Sequence, residues 1–410
     1  MKHTPITEIK VGLEITNKIT PVGRLALNDG KIYFEYDRDF LQSSLELSPL
    51  KLPRQAGLQT FDRYLFEGLS GLFNDSLPDG WGRLLLDRSA RLQGILPDEL
   101  SPLDRLAHVG KIGMGALTYE PDQQTDTSSG QIDLDALAVQ TQEVMDGEAS
   151  EVLQELISLN GSSAGVRPKA LIGLDAERIN IIHGTDTTQT GFEPWLVKFS
   201  NSEDGSDAGA IEHIYAIMAK DAGLEMMPTH LFSAQKGAGY FATKRFDRDN
   251  NKRIHTHSAC GLLHSDFRTP SLDYADLLKL TSILTRDVRE VEKMFRLAVF
   301  NVLAHNRDDH SKNFSFLMNE TGEWKLSPAY DLTFSSGPRG EQSTMVMGEG
   351  KNPADEQLTK LGIEANINQQ SIVAIVDQTQ AALSQWRALA IKYSVSKANI
   401  KLIDERINKS

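Results

Sequence analysis

Hydrophobic and polar positions divide the chain into β-rich and helical stretches. Residues 1 to about 55 are β-rich. There Arg24-Leu-Ala-Leu and Lys31-Ile-Tyr-Phe-Glu-Tyr flank Asn28-Asp29-Gly30, residues that tolerate the positive φ of a tight turn, so a hairpin is predicted. From Phe61 to about Leu106 the pattern turns helical. Inside it, Asn74-Asp-Ser-Leu-Pro-Asp-Gly-Trp-Gly82 marks a turn at Pro78 and Gly80, with Trp81 plugging a core. Asp75 and Asp79 there are expected as helix caps, with a catalytic role as the sharper alternative. Residues 120 to 131 lack a large apolar side chain and are expected to be a linker. A helical stretch from Ile132 to Leu159 follows, then a strand-rich region from about 166 to 246 broken by one helix. From about 272 to the end the chain is mostly helical, with no internal repeat.

Two helices carry clear apolar stripes. The first runs from about Ala208 to Ala222 and ends at Gly223, with Ile211, Ile214, Tyr215 and Met218 at spacings of 3, 4 and 7 and Glu212 beside them. The second runs from about Asp287 to Ala304 through Val288, Val291, Phe295, Ala298 and Val302, and is about 27 Å long at 1.5 Å per residue. It delivers a polar stretch, His305 to Asp331, in which chemistry-bearing residues lie close together.

The bulk numbers narrow the function classes. The 410 residues suffice for two or three domains. With 40% hydrophobic and 24% charged residues the chain is ordinary globular protein. A net charge of -13 argues against broad unaided nucleic-acid binding, which needs a basic face. The single cysteine, Cys260, forms no intrachain disulfide, which fits a reducing cytoplasm. The sequence shows no apolar signal core and no membrane-length apolar run.

Within the polar stretch, Asp308 and Asn313 have the D-x-x-x-x-N spacing of a kinase catalytic loop, and Asp331 follows in Ala-Tyr-Asp-Leu beyond a predicted hairpin. Phosphoryl transfer needs one carboxylate to orient the attacking hydroxyl, plus an amide and a second carboxylate to hold Mg²⁺. Upstream lies Gly161-Ser-Ser-Ala-Gly-Val-Arg-Pro-Lys169, where small residues let backbone N–H groups approach phosphates; a plain turn is the blander alternative. In the strand Trp195-Leu-Val-Lys-Phe199, Trp195, Val197 and Phe199 share one face, leaving Lys198 with Leu196 on the other. Lys198 is either a snorkelling edge lysine or a phosphate-gripping one, and Glu212 on the next helix is its expected partner. Phe241-Ala-Thr-Lys-Arg-Phe-Asp247 falls where a hinge to a second lobe belongs. His305 and His310 have no Cys or third His nearby, which argues against zinc.

In this order, and with SSAGVRPKA, NDSLPDGWG, DDHSKNFSF and AYDL, the chain resembles the HipA family of bacterial toxin–antitoxin serine/threonine kinases over nearly its whole length. The resemblance implies an α+β fold: a two-lobed protein-kinase-like core, an N-terminal β-rich subdomain and a mostly helical C-terminal lobe. The expected domains are 1–120, 132–250 (nucleotide-binding lobe) and 251–410 (catalytic loop). It also implies ATP and Mg²⁺, a protein substrate (aminoacyl-tRNA synthetases in studied members) and a small helix-turn-helix antitoxin through which DNA is met indirectly. Carried over by position, Asp308 is the catalytic base, and Asn313 and Asp331 hold Mg²⁺. Ala164, Gly165, Val166, Arg167, Pro168 and Lys169 form the nucleotide loop, and Lys198, partnered by Glu212, meets the phosphates. Lys244, Arg245 and Phe246 are the hinge, and His310, Ser311, Lys312 and Tyr330 line the nucleotide site. Ser162 matches a silencing autophosphorylation site, with Ser163 as the competing acceptor.

The chain departs from the family pattern at Lys244, where better-known members carry an acid, and in RIHTHSACGLLHSDFRTPSLDY after the hinge, which suggests a subgroup of its own. A small-molecule phosphotransferase and a nucleotide-binding partner of a DNA-binding antitoxin are the alternatives.

Overall fold

The computed structural model describes residues 3–16, 18–123, 130–147, 153–160, 165–184, 190–201, 205–250, 252–269 and 271–407. The N-terminal part is a five-stranded antiparallel sheet, ordered β4-β3-β2-β1-β5. Its strands are β1 (Glu8–Glu14), β2 (Ile19–Asn28), β3 (Lys31–Tyr36), β4 (Gln59–Thr60) and β5 (Leu117–Glu120). The hairpin expected at Asn28-Asp29-Gly30 is present: Asn28 pairs with Lys31, and Asp29 and Gly30 take φ of 49° and 70°. Two positive φ values at the turn centre are what the twist of a two-residue hairpin demands. Three helices connect β4 to β5: α1 (Gly71–Asn74), α2 (Gly80–Leu92) and α3 (Pro102–Val109). Phe34, Phe73, Leu106 and Tyr119 belong to one buried core of this part. The expected linker is partly tied down, because Gln123 N–H donates to the Ala107 carbonyl.

A second five-stranded antiparallel sheet, ordered β7-β6-β8-β10-β9, carries the predicted nucleotide-site strands. It comprises β6 (Lys169–Asp175), β7 (Ile181–His183), β8 (Phe192–Lys198), β9 (Thr229–Phe232) and β10 (Tyr240–Lys244). Helices α4 (Leu134–Asp146) and α5 (Leu153–Asn160) precede it, and their Leu137, Val144 and Leu156 share its core with Trp195, Val197 and Phe199. The alternation read from the sequence therefore holds along β8. Trp81 of α2 is 1% exposed and plugs this second core, so the N-terminal domain is keyed into the neighbouring sheet.

Helix α6 (Ala208–Asp221) joins this second sheet to the helical part. Its Ile211, Ile214, Tyr215 and Met218 pack in the C-terminal core. That core is built on α8 (Tyr274–Thr285) and α9 (Val288–Leu303), with α10 (Asp355–Glu364), α11 (Gln369–Leu383), α12 (Trp386–Lys392) and α13 (Lys397–Ile407) around them. Short α7 (Ala259–Leu263) lies before α8. Tyr215 of α6 donates its hydroxyl proton to the Ala304 carbonyl, 2.7 Å away, at the end of α9. This bond holds the Glu212 helix against the start of the His305–Asp331 stretch. The α+β architecture expected from the sequence, β-rich first and mostly helical last, is the observed one.

Candidate functional site

Backbone conformation marks the His305–Asp331 stretch at both ends. His305 and Asp331 take φ of 55° and 57°, in the left-handed region that a non-glycine residue adopts at a cost. Between them, Asn313 Nδ2–H donates to the Asp308 carbonyl at 2.7 Å, which closes the D-x-x-x-x-N loop on itself. That bond engages the amide nitrogen and not Asn313 Oδ1. The neighbouring Asp309 is fully buried and accepts from Tyr274 Oη at 2.7 Å and from the Ser343 and Thr344 amides at 2.9 and 3.2 Å. It is the loop's anchor, a role that the sequence spacing, which singles out Asp308, did not assign to Asp309.

Lys198 is the electrostatic centre. Its Nζ lies 2.6 Å from Glu212 Oε1, the partner the element order predicts, and 2.5 Å from Asp331 Oδ1. Glu212 is 2% exposed and also accepts from Arg167 Nη1 at 3.2 Å. Burial disfavours a charged Lys198, but the flanking Asp331 and Glu212 outweigh it and raise its pKa. Burial likewise pushes the Asp331 carboxyl upward, yet Lys198 and Lys169 hold it well below the usual carboxylate range. Lys169 stands directly across the β6–β8 ladder from Lys198. Burial, and then that like charge, lower its pKa to about 8.

Asp308 stands at the open edge of a cleft of about 420 Å³ lined by Phe267, Arg268, His310, Ser335 and Pro338 among others. Partial desolvation first, and then Asp331, raise its pKa against the opposing pull of His310. His310 packs on Phe267 with ring centroids 5.3 Å apart, and its buried Nδ1 finds no hydrogen-bond partner among the described residues. His305 is stacked on Phe334 instead, with Nδ1 3.1 Å from the Ser335 carbonyl.

The remaining expected residues are placed as follows. Tyr330 Oη donates to the Lys312 carbonyl at 2.5 Å and lies 2.7 Å from Ser315 Oγ. Its ring meets Phe246 at 5.3 Å. Ser311 Oγ donates to the Ser265 carbonyl at 3.0 Å. Lys312 Nζ is paired with the Asp79 carboxylate and lies 4.7 Å from the Phe267 ring centroid. At the expected hinge, the amides of Lys244 and Arg245 are used by the Pro228 and Pro194 carbonyls at 2.9 and 3.0 Å. The Lys244 side chain pairs with Glu193 at 2.6 Å. Arg245 is buried and turned to Asp247, at 2.9 and 2.7 Å. Val166 is exposed, and Pro168 accepts from the Phe199 amide at 2.9 Å. Gly161, Ser162, Ser163 and Ala164, and with them the expected autophosphorylation site, lie outside the described residues.

The cap reading of Asp75 and Asp79 is corrected. Asp79 precedes α2 but makes no side-chain cap bond. Its Oδ1 accepts from Gly165 N–H at 2.6 Å, while its Oδ2 faces Lys312. Asp75 accepts from His257 Nδ1 at 2.6 Å and from the Ser258 amide and hydroxyl at 2.7 Å each. Both carboxylates are spent on partners far away in sequence, a competition that local capping rules do not include.

Two further observations bear on what the site binds. Among the described residues, no group of three or more His, Cys, Asp or Glu side chains forms a metal-binding array, and no helix is long and apolar enough to cross a membrane. Asp331 and Asn313 do offer hard oxygen donors of the kind Mg²⁺ takes, one or two from protein and the rest from phosphates and water.

Comparison with known proteins identifies the family and the fold. The HipA N-terminal domain family matches residues 13–120, and the HipA-like C-terminal domain family matches residues 161–386. Two Sinorhizobium fredii proteins are similar along most of their length. That named "Putative kinase Y4mE" is 27% identical over 391 residues, 87% of each chain. That named "Putative kinase Y4dM" is 23% identical over 409 residues, 93% of this chain and 91% of the other. Among solved structures, HipA of Shewanella oneidensis MR-1, in a complex with HipB and operator DNA, superposes with a TM-score of 0.69 at 17% identity, covering 97% of this chain and 95% of that one. A family match spanning more than half of the chain, on a shared fold, places this protein in the HipA-like family.

Proposed function

We propose that the protein is an ATP- and Mg²⁺-dependent serine/threonine protein kinase of HipA type. The observation that carries this reading is Lys198 held between Glu212 and Asp331, with Asp308 and Asn313 closing the adjacent loop. In this arrangement Lys198 meets the nucleotide phosphates, and Asp331 and Asn313 Oδ1 would hold the metal, which would supply charge neutralisation. Asp308 accepts the proton of a serine or threonine hydroxyl as its oxygen bonds to the γ-phosphorus. The bond from that phosphorus to the β,γ-bridging oxygen breaks, and ADP leaves. A raised Asp308 pKa suits a base. The cleft at Asp308 receives the substrate chain.

Two finer points follow from membership in the family. Phosphorylation of Ser162, or of Ser163, would put about -1.5 to -2 charges where ATP phosphates must lie and so switch the site off. A small DNA-binding antitoxin is the expected partner, since the Shewanella relative is found with HipB and operator DNA. The acidic chain would then meet DNA through that partner.

Incubation of the purified protein with labelled ATP, Mg²⁺ and cell lysate tests the reading. Label in phosphoserine or phosphothreonine of a protein supports it. Label only in metabolites would select the small-molecule phosphotransferase instead. Peptide mass spectrometry of the same sample reads Ser162 and Ser163 directly.

A further inference from the structure

Asp79, Gly80 and Trp81 begin α2 of the N-terminal domain, yet they touch the nucleotide lobe and the catalytic loop. Gly165 N–H donates to Asp79 Oδ1 at 2.6 Å, and the Gly165 carbonyl accepts from Trp81 N–H at 3.0 Å. Both polar backbone groups of Gly165 are thus held by one turn of the other domain. The approach is close. A Cβ on Gly80, whose φ is 46°, would stand 2.4 Å from the Gly165 carbonyl oxygen. A Cβ on Gly165 would stand 2.5 Å from Lys169 Nζ. Trp81 is sunk in the core of the nucleotide sheet, so the turn cannot slide against Gly165 without unpacking an indole.

The second oxygen of Asp79 pairs with Lys312, one residue before Asn313. Lys312 is fixed from its other sides by the Phe267 ring and, through its carbonyl, by Tyr330. One buried carboxylate therefore spans the segment that leads into Lys169 and the loop that carries Asp308 and Asn313. Burial opposes ionisation of Asp79, but Lys312, the Gly165 amide and Lys169 outweigh it and lower its pKa. The carboxylate is charged at neutral pH and its clamp is set.

We infer that Asp79 is a positioning residue of the phosphotransfer site, through which the N-terminal domain fixes the start of β6 and the catalytic loop relative to each other. The inference rests on the nucleotide site proposed above. Its two oxygens have separable effects. Loss of the Gly165 bond frees the segment before Lys169 and weakens ATP binding. Loss of the Lys312 pair loosens the catalytic loop and slows turnover.

The test uses the full-length protein with Asp79→Ala and Asp79→Asn. Hydrogen exchange of residues 165–170 is read without nucleotide, and KM for ATP and kcat are read with it. Asp79→Ala should raise exchange there, raise KM for ATP about tenfold and lower kcat about tenfold, the scale of one charge-assisted contact each. Asp79→Asn keeps an oxygen for Gly165 but not the ion pair. It should bring KM back to within about threefold while kcat stays low. An ordinary interdomain bridge would lower thermal stability without this split. Unchanged exchange at 165–170 and unchanged KM in Asp79→Ala overturn the inference. If Asp79→Ala does not fold, Asp79→Asn decides: a low kcat at near-normal KM supports the clamp, and wild-type values of both overturn it. If the wild-type protein binds no ATP, the kinase reading fails. The exchange arm then still judges the clamp, for it if Asp79 substitution raises exchange and against it if not.

Discussion

Removing the Glu212 carboxylate is the sharpest perturbation of the ion cluster. Glu212 is 2% exposed and Lys198 11% exposed, with 2.6 Å between their charged atoms. At an effective dielectric near 20, a pair at that distance is worth about 6 kcal/mol before desolvation. Burial takes back much of this, and truncating one partner of a buried pair costs about 3–5 kcal/mol, because the other charge is left behind. In Glu212→Ala, Lys198 and Arg167 both lose this acid, and Lys198 is left leaning on Asp331 alone. In the proposed mechanism Asp331 is then neutralised by a lysine just where it would serve a metal and phosphates. A loss of about 3 kcal/mol in the reacting complex corresponds to a drop of about a hundredfold in kcat/KM. The assay is initial-rate phosphoryl transfer below KM for ATP, with circular dichroism to show that α6 is folded. Glu212→Gln keeps the hydrogen-bonding shape without the charge and should fall between wild type and alanine. A kcat/KM within about fivefold of wild type in folded Glu212→Ala would refute the argument that this pair organises the site.

Two further perturbations probe charges that the mechanism and the fold depend on. Lys169, with a pKa of about 8, is charged at pH 7 and mostly neutral by pH 9, so ATP affinity of the wild type should fall up to about tenfold across that range, as titration calorimetry would measure. Lys169→Arg keeps its charge and should be flat over the same range; a flat wild-type profile would contradict the assignment. Asp247 is fully buried between Arg245 and Arg248 and accepts the Gly115 amide at 2.8 Å, so Asp247→Ala strands two guanidinium groups and should lower the thermal midpoint by about 5 °C or more. Burial raises and the two arginines more strongly depress its folded pKa. Its stabilisation is therefore present above the unfolded value near 4 and fades as pH falls below it, so the wild-type advantage over Asp247→Asn should shrink from pH 7 to pH 3 in paired melts.

What the sequence disclosed follows from the range over which each signal acts. The β2–β3 hairpin, the α6 and α9 stripes and the alternation along β8 are periodic or turn-specific, and they recur in the structure within a residue or two, except that Val288 at the head of the α9 stripe is 84% exposed. The Lys198–Glu212 pair was legible because a strand and the next helix face each other in a kinase-like lobe. Asp75 and Asp79 were misread because their partners, His257 and Ser258 for one and Gly165 and Lys312 for the other, lie 86 to 233 residues away. No local pattern reports such a contact. Asp308 and Asp309 illustrate another limit. Spacing to Asn313 singles out Asp308, but it assigns nothing to the adjacent Asp309; burial shows that one to be an anchor while Asp308 faces the cleft. The hinge expected at 244–246 gave no hint of side-chain direction: Arg245 turns inward to Asp247, and the Lys244 and Arg245 amides are taken by the Pro228 and Pro194 carbonyls.

The central claim is that Asp308 serves the attacking hydroxyl while other groups hold the nucleotide, and Asp308→Ala measured for both properties tests it most directly. Labelled-phosphate transfer to protein and ATP affinity by titration calorimetry are read on the same preparation. The account predicts an ATP dissociation constant within about threefold of wild type and transfer reduced by at least about a hundredfold. Transfer retained at more than about a tenth of the wild-type rate, a deficit below about 1.4 kcal/mol, would contradict it.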